Sequence, residues 1–304
     1  MEYIVQTNEL CKRYNGRFAV DHVNMNIPRG SVYGFVGENG SGKTTIIRLL
    51  MGLALPTKGK YSLFGEDSKS KNIYNVRKQI SAIVEAPSLV PSMTAKQNIK
   101  YAALYYGIKY TDEMANTILK EVGLEDTGNK KTRNFSLGMR QRLGIALLLL
   151  NKPSLMLLDE PMNGLDPTGV ADLRDLIINL NKKGITFLIS SHILSELEKV
   201  ATYYGFISHG KLLKEISAED LVAECKKGID LRHHDISKLE KALKKLGYDN
   251  LRVSPNSIRV YDEVTPLELL TKLHKEGIEI KDIRTTEMNV EEYYLNMIGG
   301  ARND

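Results

Sequence analysis

Four stretches in the first two thirds of the chain are apolar almost without interruption: Val32–Val36, Leu155–Leu158, Ile185–Ile189 and Tyr203–Ile207. A strand with no polar face is covered on both sides, so these runs predict a buried, largely parallel sheet flanked by helices. Ile80–Val84 reads as a further strand. Residues 3–27 read as short strands of a small antiparallel sheet, with Ile4, Val5, Val20, Val23, Met25 and Ile27 apolar and Asn15–Gly16 as a hairpin turn. Lys60–Gly65 is another short strand. From Met93 to about Gly123 the period becomes helical: Thr94 has the chemistry of an N-cap, and Ile99, Ala102, Ala103 and Tyr106 share a face. Ser136 is a second such cap, ahead of a helix that includes the apolar run Leu143–Leu150. Residues 86–151 are thus expected to form a helical subdomain inserted between strands of an α/β core.

The tail has a different rhythm. Strand, helix, strand, strand, helix, strand is the order across Ile229–Arg232, Ser237–Leu246, Leu251–Val253, Ser257–Tyr261, Pro266–His274 and Ile278–Arg284, followed by a helix over Val290–Met297. That order fits a small ferredoxin-like α+β sandwich. The expected domains are residues 1–220 and 225–304.

Between the strand Val32–Val36 and the apolar run Ile46–Met51 lies Gly37-Glu-Asn-Gly-Ser-Gly-Lys-Thr-Thr45, a G-x-x-x-x-G-K-T loop in strand-to-helix context. Gly37, Gly40 and Gly42 free the backbone to aim N–H groups at phosphate oxygens, and the helix starting at Lys43 adds its positive end. Lys43 supplies a charge for the β/γ-phosphates and Thr44 a hydroxyl for Mg²⁺. The loop predicts that a nucleoside triphosphate binds.

Leu155–Leu158 ends in Asp159–Glu160, at the carboxyl end of a buried strand, where ligands of open α/β sheets sit. Beside a phosphate loop this suits Asp159 holding hydrated Mg²⁺ and Glu160 polarising a water; alone it would read as a polar strand end. His192, just after Ile185–Ser190, reads either as a structural histidine or as a phosphate contact. Tyr14, ahead of the hairpin turn, either packs locally or stacks on a base. Asn163–Pro167 forms a tight turn.

Of 304 residues, 42% are hydrophobic and 26% charged, an ordinary globular balance. The longest apolar stretch stops at Asn151, well short of a membrane span, and the first residues lack a secretory pattern. Cys11 and Cys225 stand far apart without metal spacing, which fits a reducing compartment. His233–His234 lacks partners at ligand spacing. The net charge of +5 is small and spread out, and reads as solubility rather than a nucleic-acid surface.

Taken together, these blocks resemble the ATP-binding subunit of an ABC transporter, over about residues 2–220. The resemblance implies a P-loop cassette of mixed sheet core, antiparallel β subdomain and inserted helical subdomain, using ATP and Mg²⁺. It assigns nucleotide contacts to Tyr14, Gly37, Asn39, Gly40, Ser41, Gly42, Lys43, Thr44 and Thr45, metal contacts to Thr44, Glu85 and Asp159, and catalysis to Glu160, His192 and Lys43. Phe135–Met139 is similar to the family's LSGGQ signature with Ser136 and Gly138 kept, and Asn163–Asp166 to its D-loop. It further implies a head-to-tail homodimer, in which Ser136 and Gly138 of a second copy close over the nucleotide, and integral membrane permease partners met through the groove beside Glu85–Tyr106. The chain would sit on the cytoplasmic face of the membrane, with no transmembrane segment and no nucleic acid partner. Glu85 stands where most members carry glutamine. With the signature's Ser136–Leu137–Gly138, this resembles the bacitracin-resistance and lantibiotic-immunity exporters, implying export of antimicrobial peptides or other membrane-active compounds. The competing expectation is a soluble ABC ATPase acting on nucleic acid or ribosomes, with the same site. Two cassettes in one chain or a long coiled-coil insertion would favour it, and neither is present.

Overall fold

The computed structural model describes residues 2–225, 227–287 and 290–301. Contacts divide the chain into two compact units, residues 1–218 and 219–304. In the first, β1 (Tyr3–Tyr14), β2 (Arg17–Val23), β3 (Asn26–Pro28), β5 (Lys58–Leu63) and β6 (Glu66–Asp67) make an antiparallel sheet. The alternation predicts several short strands where β1 is one of 12 residues. Register shifts at four places along it break the period-2 pattern while letting one strand pair with β2, β3 and β5 in turn.

The second sheet carries the site. It has the order β11-β10-β4-β9-β8-β7, built from β4 (Val32–Val36), β7 (Ile80–Ile83), β8 (Leu155–Asp159), β9 (Thr186–Ser191), β10 (Tyr203–Ser208) and β11 (Lys211–Ser217). β10, β4, β9, β8 and β7 run parallel and β11 antiparallel at the edge. All residues of β4, β8 and β9 are buried, as continuous apolar strands require. Between the strands come α1 (Lys43–Leu50), α2 (Ile73–Arg77), α6 (Pro167–Lys182) and α7 (Leu194–Leu197), and the helical insertion of α3 (Ala95–Tyr105), α4 (Asp112–Glu121) and α5 (Leu137–Leu149). Thr94 opens α3 with a full capping box to Gln97, which satisfies two otherwise orphaned N–H groups.

Tyr33 crosses the sheet to β11, where its hydroxyl donates to Glu215 Oε1 over 2.7 Å. The Asn26 N–H donates to the same oxygen over 2.8 Å. Gly205 makes room for the ring, since a Cβ there would lie 2.1 Å from the Tyr33 hydroxyl. Burial pushes the Glu215 carboxyl above its usual range despite those two donors, and pushes the Tyr33 phenol well above its own.

In the second unit, α8 (Ala218–Glu224) leads into β12 (Lys227–Arg232), α9 (Ile236–Lys245), β13 (Leu251–Ser254), β14 (Ser257–Val260), α10 (Pro266–Lys275), β15 (Asp282–Glu287) and α11 (Val290–Ala301). The sheet order β13-β14-β12-β15, antiparallel throughout, is the ferredoxin-like arrangement. Leu239, Leu243, Leu269 and Leu273 from the two helices fill its core against Leu231, Ile258 and Val260. The last strand starts at Asp282 where the apolar pattern predicts Ile278. The Ile278 N–H instead bonds Leu273 O at 3.0 Å, so this buried residue closes the end of α10.

Candidate nucleotide site

Residues 37–42 join β4 to α1. Gly42 holds φ +110°, and a Cβ there would meet Ala19 O at 2.3 Å; one at Gly37 would lie 2.5 Å from both Ile207 O and Ser41 Oγ. Only glycines let the loop wind this close to its neighbours. Its floor is Lys43, buried, whose Nζ donates to Gly37 O at 2.6 Å and Glu38 O at 3.1 Å. The same Nζ stands 3.3 Å from Glu160 Oε1. Asn39 and Gly40 are exposed at the loop's crest, with Thr45 half-buried in the first turn of α1.

Strand ends supply the acids. Thr44 Oγ1 donates to Asp159 Oδ2 over 2.7 Å, and Ser190 Oγ donates to Asp159 Oδ1 over 2.6 Å. The Glu160 N–H in turn bonds Ser190 Oγ at 3.0 Å, so one hydroxyl on β9 fixes the Asp159 carboxylate and the backbone of Glu160. Glu160 sits in the left-handed region at φ +48°, a conformation that costs on the order of 1 kcal/mol for a residue with a side chain. That turn carries the carboxylate away from the line of β8 towards His192, whose Nδ1 lies 2.8 Å from Glu160 Oε2. A carboxylate can only accept, so Nδ1 carries the proton and Nε2 is left for another partner.

Lys43, Thr44, Asp159, Glu160 and His192 are therefore one connected cluster. Other expected positions lie apart from it. Glu85, at φ +67° and largely exposed, turns its carboxylate onto Arg48, 2.5 Å away, although it lines the same cleft as Thr44, Asp159 and Glu160. Tyr14 is 46% exposed at the end of β1, with Lys12 Nζ 4.9 Å from its ring centre. The exposed Ser136 caps α5, accepting from the Met139 N–H at 3.2 Å, while the buried Gly138 faces the start of α6, where Asp166 caps Gly169. Ser190 was missed by sequence reasoning; its signal was a hydroxyl closing an otherwise apolar buried run. Arg48, likewise unmarked, lay on a helix whose exposed face gives no cue.

The residues fit a phosphate and a hydrated divalent ion. Ser41 Oγ is buried without a hydrogen bond among the described residues, Glu160 Oε1 has only the Lys43 ammonium at 3.3 Å, and Gln141 Oε1, on the same cleft as Glu160, is unsatisfied. Buried polar atoms in that condition mark a place made for a polar occupant. Thr44 Oγ1 and Asp159 Oδ2 stand 2.7 Å apart, close to the about 2.9 Å separating adjacent ligands of an octahedral Mg²⁺. The cleft holds about 610 Å³.

The ABC transporter family pattern matches residues 20–163. The chain is 40% identical over 305 residues to the bacitracin transport ATP-binding protein BcrA of Bacillus licheniformis, covering 99% of each. It is also 40% identical to the lantibiotic transport ATP-binding protein SrtF of Streptococcus pyogenes, over 70% of this chain and 90% of that one. Among solved structures, cbiO1 of Clostridium perfringens, part of the transporter complex cbiONQ, superposes with a TM-score of 0.66 at 27% identity, over 81% of this chain and 98% of that one. With a relative of 40% identity matched from end to end, the chain belongs to the ATP-binding subunits of ABC transporters.

Proposed function

We propose that this ATPase drives export of antimicrobial peptides or similar membrane-active compounds through separate membrane-spanning subunits, from the cytoplasmic face of the membrane. The observation that carries the chemistry is the Lys43–Glu160–His192 cluster beside Thr44 and Asp159. In this reading the N–H groups of residues 37–45 and Lys43 hold the β- and γ-phosphates, and Tyr14 stacks on the base. Thr44 and Asp159 hold Mg²⁺, with Glu85 a further oxygen ligand once it parts from Arg48. The metal when bound neutralises phosphate charge and fixes the phosphate oxygens. Glu160 accepts a proton from the attacking water, and His192, held by its Nδ1–H on Glu160, bonds a γ-phosphate oxygen through Nε2–H in the form that carries a proton on both ring nitrogens. The cleft is open on one side, and the start of α5, with Ser136 exposed and Gly138 buried behind it, suits a second copy closing over it.

Export is supported by the names of the relatives, which are transport proteins for bacitracin and a lantibiotic. A groove supports the membrane partner. Leu53, Tyr101, Tyr105 and Tyr106 stand exposed around a hollow of about 510 Å³ floored by Ala82, Ile83, Pro87 and Gly144. An apolar groove rimmed by aromatic residues takes the apolar face of a short helix. Among the described residues no helix is long and apolar enough to cross a membrane, and in this reading the helix in the groove belongs to the membrane subunit. Expression with its membrane partner in a sensitive bacterium is expected to raise tolerance to a bacitracin-class peptide. Tolerance that survives Glu160→Gln would overturn the reading.

A further inference from the structure

Outside the nucleotide site, the described residues hold one group of three metal-ligating side chains, Cys11, Asp21 and His22, with ligand atoms within 4.8 Å of one another. They converge because of a bulge. Leu10 pairs with Val23 and Lys12 with Val20, so Asp21 and His22 of β2 together oppose the single Cys11 of β1. Extra residues in bulges re-aim side chains, and here His22 takes φ +51°. The His22 N–H then donates to Cys11 Sγ at 3.3 Å, and His22 Nδ1 lies 2.7 Å from Asp21 Oδ1. Lys211 Nζ stands 3.7 Å from the other Asp21 oxygen.

We infer that Cys11, Asp21 and His22 form a site for one thiophilic divalent ion of the zinc class. Sulfur, imidazole and carboxylate are the ligand types zinc takes, and three protein ligands with water as the fourth is a common zinc arrangement. The thiol is buried while the imidazole is half-exposed, so the ion enters from the His22 side and water completes its shell there. A backbone N–H already aimed at sulfur stabilises a thiolate, and the thiol proton, which now faces Glu9 O at 3.5 Å, leaves to solvent on coordination. Ligand atoms around a tetrahedral zinc lie about 3.3–3.7 Å apart, so closure needs side-chain rotation of about an ångström and no change of strand pairing. The site sits at the base of the β1–β2 hairpin, whose Phe18 ring lies 6.0 Å from that of His22, so a bound ion ties the hairpin down at its root.

Titration of the purified full-length chain with Co²⁺ tests this. The expected result is one ion per chain, a near-ultraviolet thiolate-to-cobalt charge-transfer band, visible bands of four-coordinate cobalt, and displacement of both by Zn²⁺. Cys225→Ser is expected to keep the band and Cys11→Ala to lose it. Should the buried Cys11→Ala fail to fold, His22→Asn decides: asparagine tolerates the left-handed backbone, lacks the imidazole, and is expected to weaken binding at least about tenfold. No charge-transfer band, a band lost only with Cys225, or a titration unmoved by His22→Asn would each overturn the site.

Discussion

At the scale of single residues, the site depends on two side chains that differ in kind. Glu160 is the only carboxylate of the cluster bridging Lys43 and His192, and its Oε1 has no other described hydrogen-bond partner. Glu160→Gln preserves size but removes the base, so steady-state ATP hydrolysis is expected to fall at least about a hundredfold while nucleotide binding persists; a near-normal phosphate release rate would refute the assignment. Ser190 acts differently, through Asp159 and the Glu160 backbone. Ser190→Ala leaves a lone pair of a buried carboxylate unsatisfied, and the apparent Mg²⁺ requirement of the ATPase is expected to rise about tenfold with ATP affinity at saturating Mg²⁺ unchanged. Far from the cleft, Glu215 offers a test by pH. Its carboxyl is raised above the ordinary carboxylate range by burial, so the folded state holds its proton more tightly than the unfolded chain. The stability this group contributes is fully present below the unfolded pKa and is lost as pH rises through the folded one. Glu215→Gln removes the burial cost of the charge, so its melting temperature relative to the parent is expected to be highest near about pH 8 and to decline towards about pH 5. A difference independent of pH would show that the Tyr33 and Asn26 bonds, not desolvation, set the balance.

Elements were legible where burial is complete and obscure where geometry is local. β4, β8, β9 and β10 announce themselves as apolar runs because both faces are covered, and Thr94 and Ser136 mark helix starts through chemistry the backbone requires. β1 was not legible as one strand, since its bulges reset the alternation. The same bulges hid the approach of Cys11 to His22, and spacing along the chain carries no trace of it. The phosphate loop and the two acids of β8 stood out as motifs, whereas the left-handed turns at Glu85 and Glu160, which decide what those carboxylates face, leave no mark on residue type. The groove belongs to this scale too. α5 lies against Pro87 so closely that a Cβ on Gly144 would come within 2.6 Å of that ring, which makes the groove floor, while α3 sets the aromatic rim. Tyr101 and Tyr105 are 56% and 81% exposed, so truncating both costs little stability. The double variant Tyr101→Ala, Tyr105→Ala is expected to keep basal ATPase activity and to bind the membrane subunit about tenfold more weakly or worse in a pull-down from detergent. Unchanged capture would move the docking site elsewhere.

For the whole molecule the proposed reading makes one chain offer both halves of a site without closing either. In it Lys43 and its loop are one half and the exposed helix start at Ser136 the other, whose hydroxyl is engaged, among the described residues, only by the Met139 N–H of its own helix. If two copies meet head to tail, each nucleotide lies between the loop of one and the helix start of its partner, and lesions in the two halves complement across chains. Lys43→Ala destroys the loop half, Ser136→Arg blocks the helix half, and each variant alone is expected to be inactive. In an equimolar mixture, half the dimers pair one variant with the other. Each such pair has one site with both lesions and one with neither, so about a quarter of the wild-type site number is restored. Recovered activity on mixing, growing with protein concentration as association requires, is therefore the expected outcome in a phosphate-release assay. A self-contained site makes the opposite forecast: every chain keeps its own lesion, and the mixture stays as inactive as its parts.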